Sequence, residues 1–198
     1  MIEAYFDKVF DTQRIYRLIL DAMARPGKVN SLPTLSINPP PGLNQAAAAI
    51  GLTLLDGETG FSVLPFNQDI IDYIILNTGA AACQTDCAEF VITAGMKGRP
   101  ELIDTCCGTL ITPEKGATLI MMVDSLAAAG KGVKLWLSGP GIDGSSCLDI
   151  SGLDDSNLQT IAGLNQEFPM GVDVIYADNS GKVACVPRSS VTRWEVLS

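Results

Sequence analysis

Phe168-Pro169-Met170-Gly171-Val172-Asp173-Val174-Ile175-Tyr176 is the stretch that decides the fold, together with the run Val183-Ala184-Cys185-Val186 and the corner Pro187-Arg188-Ser189-Ser190 that follows it. The two apolar runs are separated by Asp178-Asn179-Ser180-Gly181. This sequence is typical of a hairpin turn, because glycine adopts a positive φ at no steric cost. We therefore predict two antiparallel strands joined by a short turn.

Two charged residues in this block need an explanation, since an apolar core gains nothing from an unpaired charge. Asp173 lies inside the first run, and Arg188 follows the second. Asp173 is either a solvent-facing residue on an edge strand or a buried acid paired with Arg188. Pairing would explain both charges at once, and we favour a structural pair over a catalytic one.

Apolar residues at helical spacing predict helices elsewhere in the chain. The clearest stripe begins after Thr12 and ends at Arg25-Pro26-Gly27, which cannot continue a helix. Its apolar members are Ile15, Leu18, Ile19, Ala22 and Met23. The predicted N-caps of four helices are Asp11 or Thr12, Asn44, Asp69, and Asp154 or Asp155.

Short apolar runs between these helices predict strands at residues 29–32, 61–64, 90–93, 118–123 and 133–138. Residues 128–132 have the composition of a tight hairpin connection. Helices and strands interleave along most of the chain. The expected fold is a layered α/β domain with a mixed sheet, formed by residues 1–198 as one domain.

The charge balance narrows the possible partners. The chain has 13 basic and 22 acidic side chains and a net charge of −9. Binders of nucleic acid and of anionic membranes need a positive field, so neither class is expected. No apolar run approaches the ~20 residues of a membrane span, and the first residues lack the pattern of a signal peptide. We expect a cytoplasmic protein.

Several kinds of active site are disfavoured by composition. There is no histidine, which removes serine or cysteine catalysis that depends on imidazole. Cys83, Cys87, Cys106 and Cys107 could supply four sulfurs to a metal, but the spacing matches no common metal motif and favours ordinary thiols. None of the seven lysines lies in a segment typical of a Schiff-base lysine. We therefore predict neither a metal nor a cofactor.

The remaining candidates are arginines, because guanidinium binds phosphate or carboxylate in a bidentate manner. Arg17, Arg25 and Arg188, together with Asp173, are predicted to line a cleft or an interface. The alternative for each arginine is a surface ion pair. Gly139-Pro140-Gly141-Ile142 is interpreted as a turn, since proline stands where a phosphate-binding loop needs an N–H donor.

Five segments in order resemble the PhnH family, a core subunit of the bacterial carbon–phosphorus lyase system. They are Tyr16-Arg17-Leu18-Ile19-Leu20-Asp21-Ala22-Met23-Ala24-Arg25-Pro26-Gly27, Thr112-Pro113-Glu114-Lys115-Gly116-Ala117-Thr118-Leu119-Ile120, Leu137-Ser138-Gly139-Pro140-Gly141-Ile142, and the two C-terminal motifs quoted above. Gln166 and Glu167 stand where members of the family often carry a histidine, and Ser189 and Ser190 replace threonines.

The resemblance implies an α/β/α sandwich similar to pyridoxal-phosphate-dependent transferases but without the cofactor. It also implies a homodimer that assembles with the G, I and J subunits. That system joins an alkylphosphonate to C1 of the ribose of a nucleoside triphosphate and releases adenine, while the radical cleavage belongs to the J subunit. The predicted function is thus a non-autonomous subunit. The alternatives are an independent enzyme or binding protein for a small phosphorylated or carboxylated metabolite, and a metal or iron–sulfur protein.

Overall fold

The computed structural model describes residues 6–127 and 131–197. The helices of these residues are α1 (Phe10–Ala24), α2 (Gln45–Leu54), α3 (Gln68–Thr78) and α4 (Asp155–Leu164), with short 3-10 helices at Thr85–Cys87, Pro100–Asp104 and Pro113–Lys115. The strands are β1 (Asn30–Ser31), β2 (Gly60–Leu64), β3 (Ala81–Ala82), β4 (Phe90–Ala94), β5 (Thr118–Val123), β6 (Gly132–Ser138), β7 (Ser146–Ile150), β8 (Asp173–Asp178), β9 (Lys182–Val186) and β10 (Val191–Leu197). In the two described ranges no helix is long and apolar enough to cross a bilayer.

The strands form two sheets. The larger has the order β1-β9-β8-β5-β4-β2-β3 and the smaller the order β10-β6-β7. In the larger sheet β3, β2, β4, β5 and β8 run parallel, whereas β9 is antiparallel to β8 and to β1. The smaller sheet is antiparallel throughout. The α/β class with a mixed sheet is therefore confirmed.

The larger sheet lies between two apolar cores. On one face the helices α1, α2 and α3 contribute Ile15, Ile50 and Ile74 to the core. On the other face α4 and the smaller sheet contribute Leu158 and Leu135. Full burial of each such side chain contributes about 1.5–3 kcal/mol. The molecule thus has three layers, and the second outer layer is part helix and part sheet.

Helix α1 follows the predicted stripe but begins two residues before Thr12. The N-cap residue, Val9, makes no side-chain capping bond. Asp7 supplies the acceptor instead, because its Oδ1 accepts hydrogen bonds from the backbone N–H groups of Val9 and Phe10, both at 2.9 Å. Asp11, one of the predicted caps, lies inside the helix, and its Oδ2 accepts from the N–H of Asp7 at 3.1 Å. The two acids together therefore satisfy three backbone N–H groups at the start of the helix.

The other predicted caps divide into two confirmed and one wrong. Asn44 and Asp154 cap α2 and α4 through their side chains. Helix α3 is capped by Asn67, not by Asp69, because Asn67 Oδ1 accepts from the N–H groups of Asp69 and Ile70 at 3.0 and 3.3 Å. Asp69 lies in the first turn of that helix.

The predicted hairpin connection at residues 128–132 joins β5 to β6. Residues 128–130 of this segment lie outside the described part of the chain. The two strands that it links belong to different sheets, so it does not connect a paired hairpin, and that prediction was wrong. The alternation of β6 is real, but its hydrogen-bonded neighbours are β7 and β10.

The hairpin between β8 and β9 is confirmed. Its turn is organised by Asp178, a fully buried acid whose Oδ1 accepts from the N–H groups of Ser180 and Lys182, both at 2.8 Å. Its Oδ2 accepts from the N–H of Leu126 at 3.1 Å. Gly181 has a φ of 84°, the left-handed conformation for which glycine was expected. Because the two strands pair along their length, the start of β8 lies beside the end of β9.

Candidate functional site

Asp173 and Arg188 form an ion pair where β8 begins and β9 ends. The carboxylate Oδ1 accepts from the backbone N–H of Arg188 at 2.8 Å. Oδ2 accepts from Nε at 3.1 Å and from Nη2 at 2.6 Å. The side chain of Asp173 is only 24% exposed and that of Arg188 only 13%. The structure therefore shows the largely buried pair and not the solvent-facing acid.

Arg188 also clamps the loop before β5. Its Nη1 donates to the carbonyl oxygen of Pro113 at 2.7 Å, and Nη2 donates to that of Gly116 at 3.0 Å. Four of the five guanidinium N–H groups are thus engaged, and Asp173 balances the charge. A bidentate oxyanion would have to displace these partners. We refer to Asp173, Arg188 and the carbonyl groups of Pro113 and Gly116 as the clamp.

Two glycines allow the segments of the clamp to meet. A side chain at Gly116 would overlap both the Nη1 of Arg188 and the carbonyl oxygen of Gly171. Gly171 has a φ of 134°, and a side chain there would overlap Asn165. We expect only glycine at both positions, because the neighbouring side-chain and backbone atoms leave no room for a Cβ atom and the φ of Gly171 disfavours other residues. This accounts for the glycines in the Thr-Pro-Glu-Lys-Gly and Phe-Pro-Met-Gly motifs.

The entry to β8 is held by the C-cap residue of α4. The Oδ1 of Asn165 accepts from the N–H of Val172 at 2.7 Å, and its Nδ2 donates to the carbonyl oxygen of Val172 at 3.1 Å. The N–H of Gly171 donates to the carbonyl oxygen of Cys107 at 2.9 Å. The Phe-Pro-Met-Gly-Val-Asp motif is therefore a structural junction between α4, β8 and the loop that precedes β5.

A cavity of about 290 Å³ lies beneath the Pro-Arg-Ser-Ser corner. Its walls come from α4, β6, β8, β9 and β10, and they are mostly apolar. Arg188 and Tyr176 are among the lining residues. Tyr176 is 1% exposed, and none of the hydrogen bonds of the described residues involves its hydroxyl group. Burial raises the pKa of this phenol well above its ordinary value, so the hydroxyl is a neutral donor.

This arrangement is better suited to binding a ligand than to catalysing a reaction. The cavity combines apolar walls with hydroxyl groups and one arginine whose charge is already balanced. Such a site favours a small and largely apolar ligand with a hydrogen-bond acceptor. Sequence reasoning did not single out Tyr176. The available signal was its position in an apolar strand, where a buried tyrosine hydroxyl normally requires a partner.

The structure separates the other two predicted site residues from the clamp. Arg25, whose side chain is 61% exposed, forms an ion pair with Asp21, which also pairs with Lys28 at 2.6 Å. Arg17 is exposed on α1. In residues 6–127 and 131–197 neither arginine has a hydrogen bond or ion pair to Asp173 or Arg188. The structure therefore brings Asp173 and Arg188 together and leaves Arg17 and Arg25 apart from them.

The cysteines and lysines also have defined positions. In the described ranges no three cysteine, aspartate or glutamate side chains converge as metal ligands. Burial raises the pKa of the Cys185 thiol to about 12 and that of Cys83 to about 11, so both are protonated at neutral pH. All seven lysines lie in the described ranges. Five are exposed, and Lys134 and Lys182 are half-buried.

Comparison with known proteins gives the family. The family model for bacterial phosphonate metabolism protein (PhnH) matches residues 3–193. The chain is 30% identical over 190 residues to the alpha-D-ribose 1-methylphosphonate 5-triphosphate synthase subunit PhnH of Rhizobium meliloti (strain 1021), covering 94% of this chain and 92% of the relative. It is also 30% identical over 181 residues to the putative C-P lyase subunit protein HtxG of Stutzerimonas stutzeri, covering 90% and 84%. On these matches, the chain belongs to the PhnH family of bacterial phosphonate metabolism proteins.

Proposed function

We propose that this chain is a non-autonomous subunit of a complex of the carbon–phosphorus lyase system in phosphonate catabolism. The observation that carries the proposal is the match along nearly the whole chain to a relative named as a synthase subunit. The complex would transfer an alkylphosphonate to C1 of the ribose of a nucleoside triphosphate with release of adenine. Its other members would include the G, I and J subunits, and the chain itself would form a homodimer in the cytoplasm.

The clamp supports a function in which the surfaces of this chain bind partner subunits, and not one in which its own side chains catalyse a reaction. Arg188 uses four of its N–H groups internally, which is the behaviour of a structural residue. We also propose that the fold is related to pyridoxal-phosphate-dependent transferases but lacks the cofactor. The exposure or half-exposure of every lysine supports this, since a Schiff-base lysine must be buried to lose its proton readily.

One candidate surface for a partner subunit is the outer face of α1. Phe10, Tyr16 and Leu20 are large apolar side chains exposed on this helix. Arg14 and Arg17 are exposed between them. Exposed apolar side chains grouped on one face mark interaction sites. This basic and apolar face, on a chain of net charge −9, suits an acidic partner surface.

A second candidate surface is the tip of the loop before β5. Ile111 is 91% exposed, and Leu110 beside it is also exposed. The turn is closed by Thr109 and Thr112, whose hydroxyl groups are 2.9 Å apart. The clamp holds the following residue, Pro113, by its carbonyl oxygen. Asp173 and Arg188 would therefore act on a partner indirectly, by fixing the position of this apolar tip.

The proposal is tested by co-expressing the tagged chain with the G, I and J homologues of its own organism and measuring the mass of the purified material by light scattering. A stoichiometric complex is expected. The variants Leu110→Ser with Ile111→Ser, and Arg14→Glu with Arg17→Glu, should each reduce recovery of the partners. Glu58→Arg, an exposed charge change on neither surface, is the matched control. A chain that never recovers a partner would refute the subunit proposal.

The second candidate function is a binding protein or enzyme for a small phosphorylated or carboxylated metabolite. The observation in its favour is that Arg188 lines the cavity, where it could bind the oxyanion of a ligand that displaced its internal partners. The purified chain alone would then gain thermal stability with methylphosphonate or a nucleoside triphosphate. Tyr176→Phe removes only the hydroxyl and should abolish that gain if the cavity is the site. Turnover by the chain without partners would favour this candidate over the subunit proposal.

A further inference from the structure

We propose that the cavity beneath the Pro-Arg-Ser-Ser corner binds a small, neutral aromatic compound with a carbonyl group, whose oxygen accepts a hydrogen bond from the hydroxyl group of Tyr176. The ligand of the second candidate function is an oxyanion held by Arg188, whereas this ligand carries no charge. The inference does not rest on the proposed subunit function, because it follows from the walls of the cavity and from its unpaired hydroxyl groups.

The walls of the cavity provide room and apolar contacts for a small ring. Its volume of about 290 Å³ lies at the lower end of the range of about 300–1,000 Å³ for ligand pockets. Leu158 and Ile161 line it from α4, and Val174 and Val186 line it from the larger sheet. An apolar body therefore gains free energy by leaving water for these walls.

Tyr176 contributes a buried hydroxyl group without a partner. The residue is 1% exposed and lines the cavity, and no other described residue forms a hydrogen bond with its hydroxyl group. The Oγ of Ser190, another lining residue, is also buried and unpaired in the described part of the chain. Buried hydroxyl groups are normally hydrogen-bonded, because an unpaired one has lost its bonds to water. Two such groups beside one cavity point to a ligand that supplies their partners.

The hydroxyl group of Tyr176 requires an acceptor. Burial raises the pKa of this phenol well above its ordinary value, so the group stays protonated and donates. A carbonyl oxygen accepts such a bond with its lone pairs and brings no charge against the apolar walls. A water molecule takes up about 30 Å³ and would leave most of the cavity empty. A carbonyl compound therefore satisfies the hydroxyl group and also fills the space.

The clamp disfavours an anionic ligand. Asp173 balances the charge of Arg188, and four of the five guanidinium N–H groups are already engaged. A carboxylate or phosphonate would have to open the clamp to reach them, and it would also lose its hydration against apolar walls. A cation finds no acid among the described residues that line the cavity. A neutral ligand avoids all of these costs.

Phe168 favours an aromatic ligand. It lines the cavity, and 66% of the residue is exposed. An aromatic ring that stacks on it or meets its edge gains more than the burial of apolar area alone provides. The exposed phenyl ring therefore favours an aromatic ligand over an aliphatic one of the same size.

The test uses benzamide as the neutral probe and benzoate as an anionic compound of nearly the same shape. The affinity of the purified full chain for each probe is measured by NMR titration at neutral pH. Benzamide is expected to bind saturably, and benzoate should bind about tenfold more weakly or worse, because its charge loses hydration. Cyclohexanecarboxamide keeps the amide but has no aromatic ring, so it should also bind more weakly than benzamide.

Three variants locate the binding site. Tyr176→Phe removes only the hydroxyl group and should weaken benzamide binding about tenfold through the lost hydrogen bond. Tyr73→Phe is the matched control, because Tyr73 is also buried with an unpaired hydroxyl group but packs in the core on the other face of the larger sheet. It should leave the affinity unchanged. Ala162→Leu enlarges a half-buried residue of the cavity wall on α4 and should abolish binding. Circular dichroism and the urea midpoint show that each variant is folded.

Absence of saturable benzamide binding to the wild type would overturn the inference, as would equal affinities of the wild type and folded Tyr176→Phe. Equal binding of benzamide and cyclohexanecarboxamide would refute the aromatic class. Tighter binding of benzoate than of benzamide would overturn the neutral ligand and favour the second candidate function.

The result is distinguishable from failure of the proposed function. A chain that recovers its partner subunits but does not bind benzamide refutes only this inference. A chain that binds benzamide but never recovers a partner refutes only the subunit proposal.

Discussion

Replacing Arg188 by alanine should destabilise this protein far more than the same replacement at Arg25. Arg188→Ala removes four side-chain hydrogen bonds and leaves Asp173 with a single bond, from the backbone N–H of residue 188. It also releases the carbonyl groups of Pro113 and Gly116. Arg25→Ala removes an exposed pair with Asp21.

The expected magnitudes follow from burial. Removing one partner of a buried ion pair costs about 3–5 kcal/mol, because the other charge is left uncompensated. The pair keeps 13% and 24% exposure, so we expect the lower end, about 3 kcal/mol. Exposed pairs contribute about 0–1 kcal/mol, which is the loss expected for Arg25→Ala. Arg188→Lys should fall between the two, since an ammonium cannot span the three acceptors.

The assay is urea unfolding followed by circular dichroism, with the midpoint and the slope fitted for each variant. Limited trypsin digestion gives a local readout, because Lys115 is exposed within the loop that Arg188 holds. Cleavage after Lys115 should be faster in Arg188→Ala and unchanged in Arg25→Ala. Equal free energies of unfolding for the two alanine variants, with equal cleavage rates, would refute the clamp.

Three further predictions concern Asn165, the two glycines Gly116 and Gly163, and Cys185. Asn165→Ala should lower the free energy of unfolding by about 2 kcal/mol, because it leaves a buried N–H and C=O unpaired; an unchanged urea midpoint would contradict this. Gly116→Ala should cost about 1–3 kcal/mol through overlap with Arg188, whereas Gly163→Ala, with nothing near its Cβ position, should stabilise α4 by up to about 1 kcal/mol in thermal or urea unfolding. Burial raises the pKa of Cys185 from 9.0 to about 12, so above pH 9 the unfolded thiol ionises while the folded one does not. Stability should fall as pH rises, by about 1 kcal/mol at about pH 10 relative to Cys185→Ala, and parallel pH profiles of the two proteins would contradict this.

Local patterns predicted the parts of the fold that local interactions determine. The turn Asp178-Asn179-Ser180-Gly181 and the helical stripe of α1 carry their own signals, because a hairpin and an amphipathic helix are specified within a short segment. The acceptors in the clamp are backbone carbonyl groups of Pro113 and Gly116, which leave no side-chain signal in the sequence. The pairing of Asp173 with Arg188 could be predicted, because both partners are side chains that the sequence shows. An acid and a base beside apolar strands avoid the cost of an unpaired buried charge by pairing.

The smaller sheet could not be anticipated, because its pairing is non-local. β6 pairs with β10, which follows it by more than fifty residues, and β7 contains only two buried residues, Leu148 and Ile150. β6 was predicted as a strand from its alternation, whereas β7 and β10 were not predicted. For the same reason the cavity, which requires α4, β8 and β10 together, is visible only in three dimensions.

The corner at residues 187–190 carries the chain from the larger sheet to the smaller one and lies over the cavity. Arg188 in this corner lines the cavity and also holds the loop whose exposed tip is formed by Leu110 and Ile111. A molecule that displaced the Arg188 side chain from inside would therefore release the apolar tip outside. By thermodynamic reciprocity, a partner that fixed the tip would change the affinity of the cavity for that molecule by the same factor. One arginine thus links the interior of this subunit to the surface on which its assembly would depend.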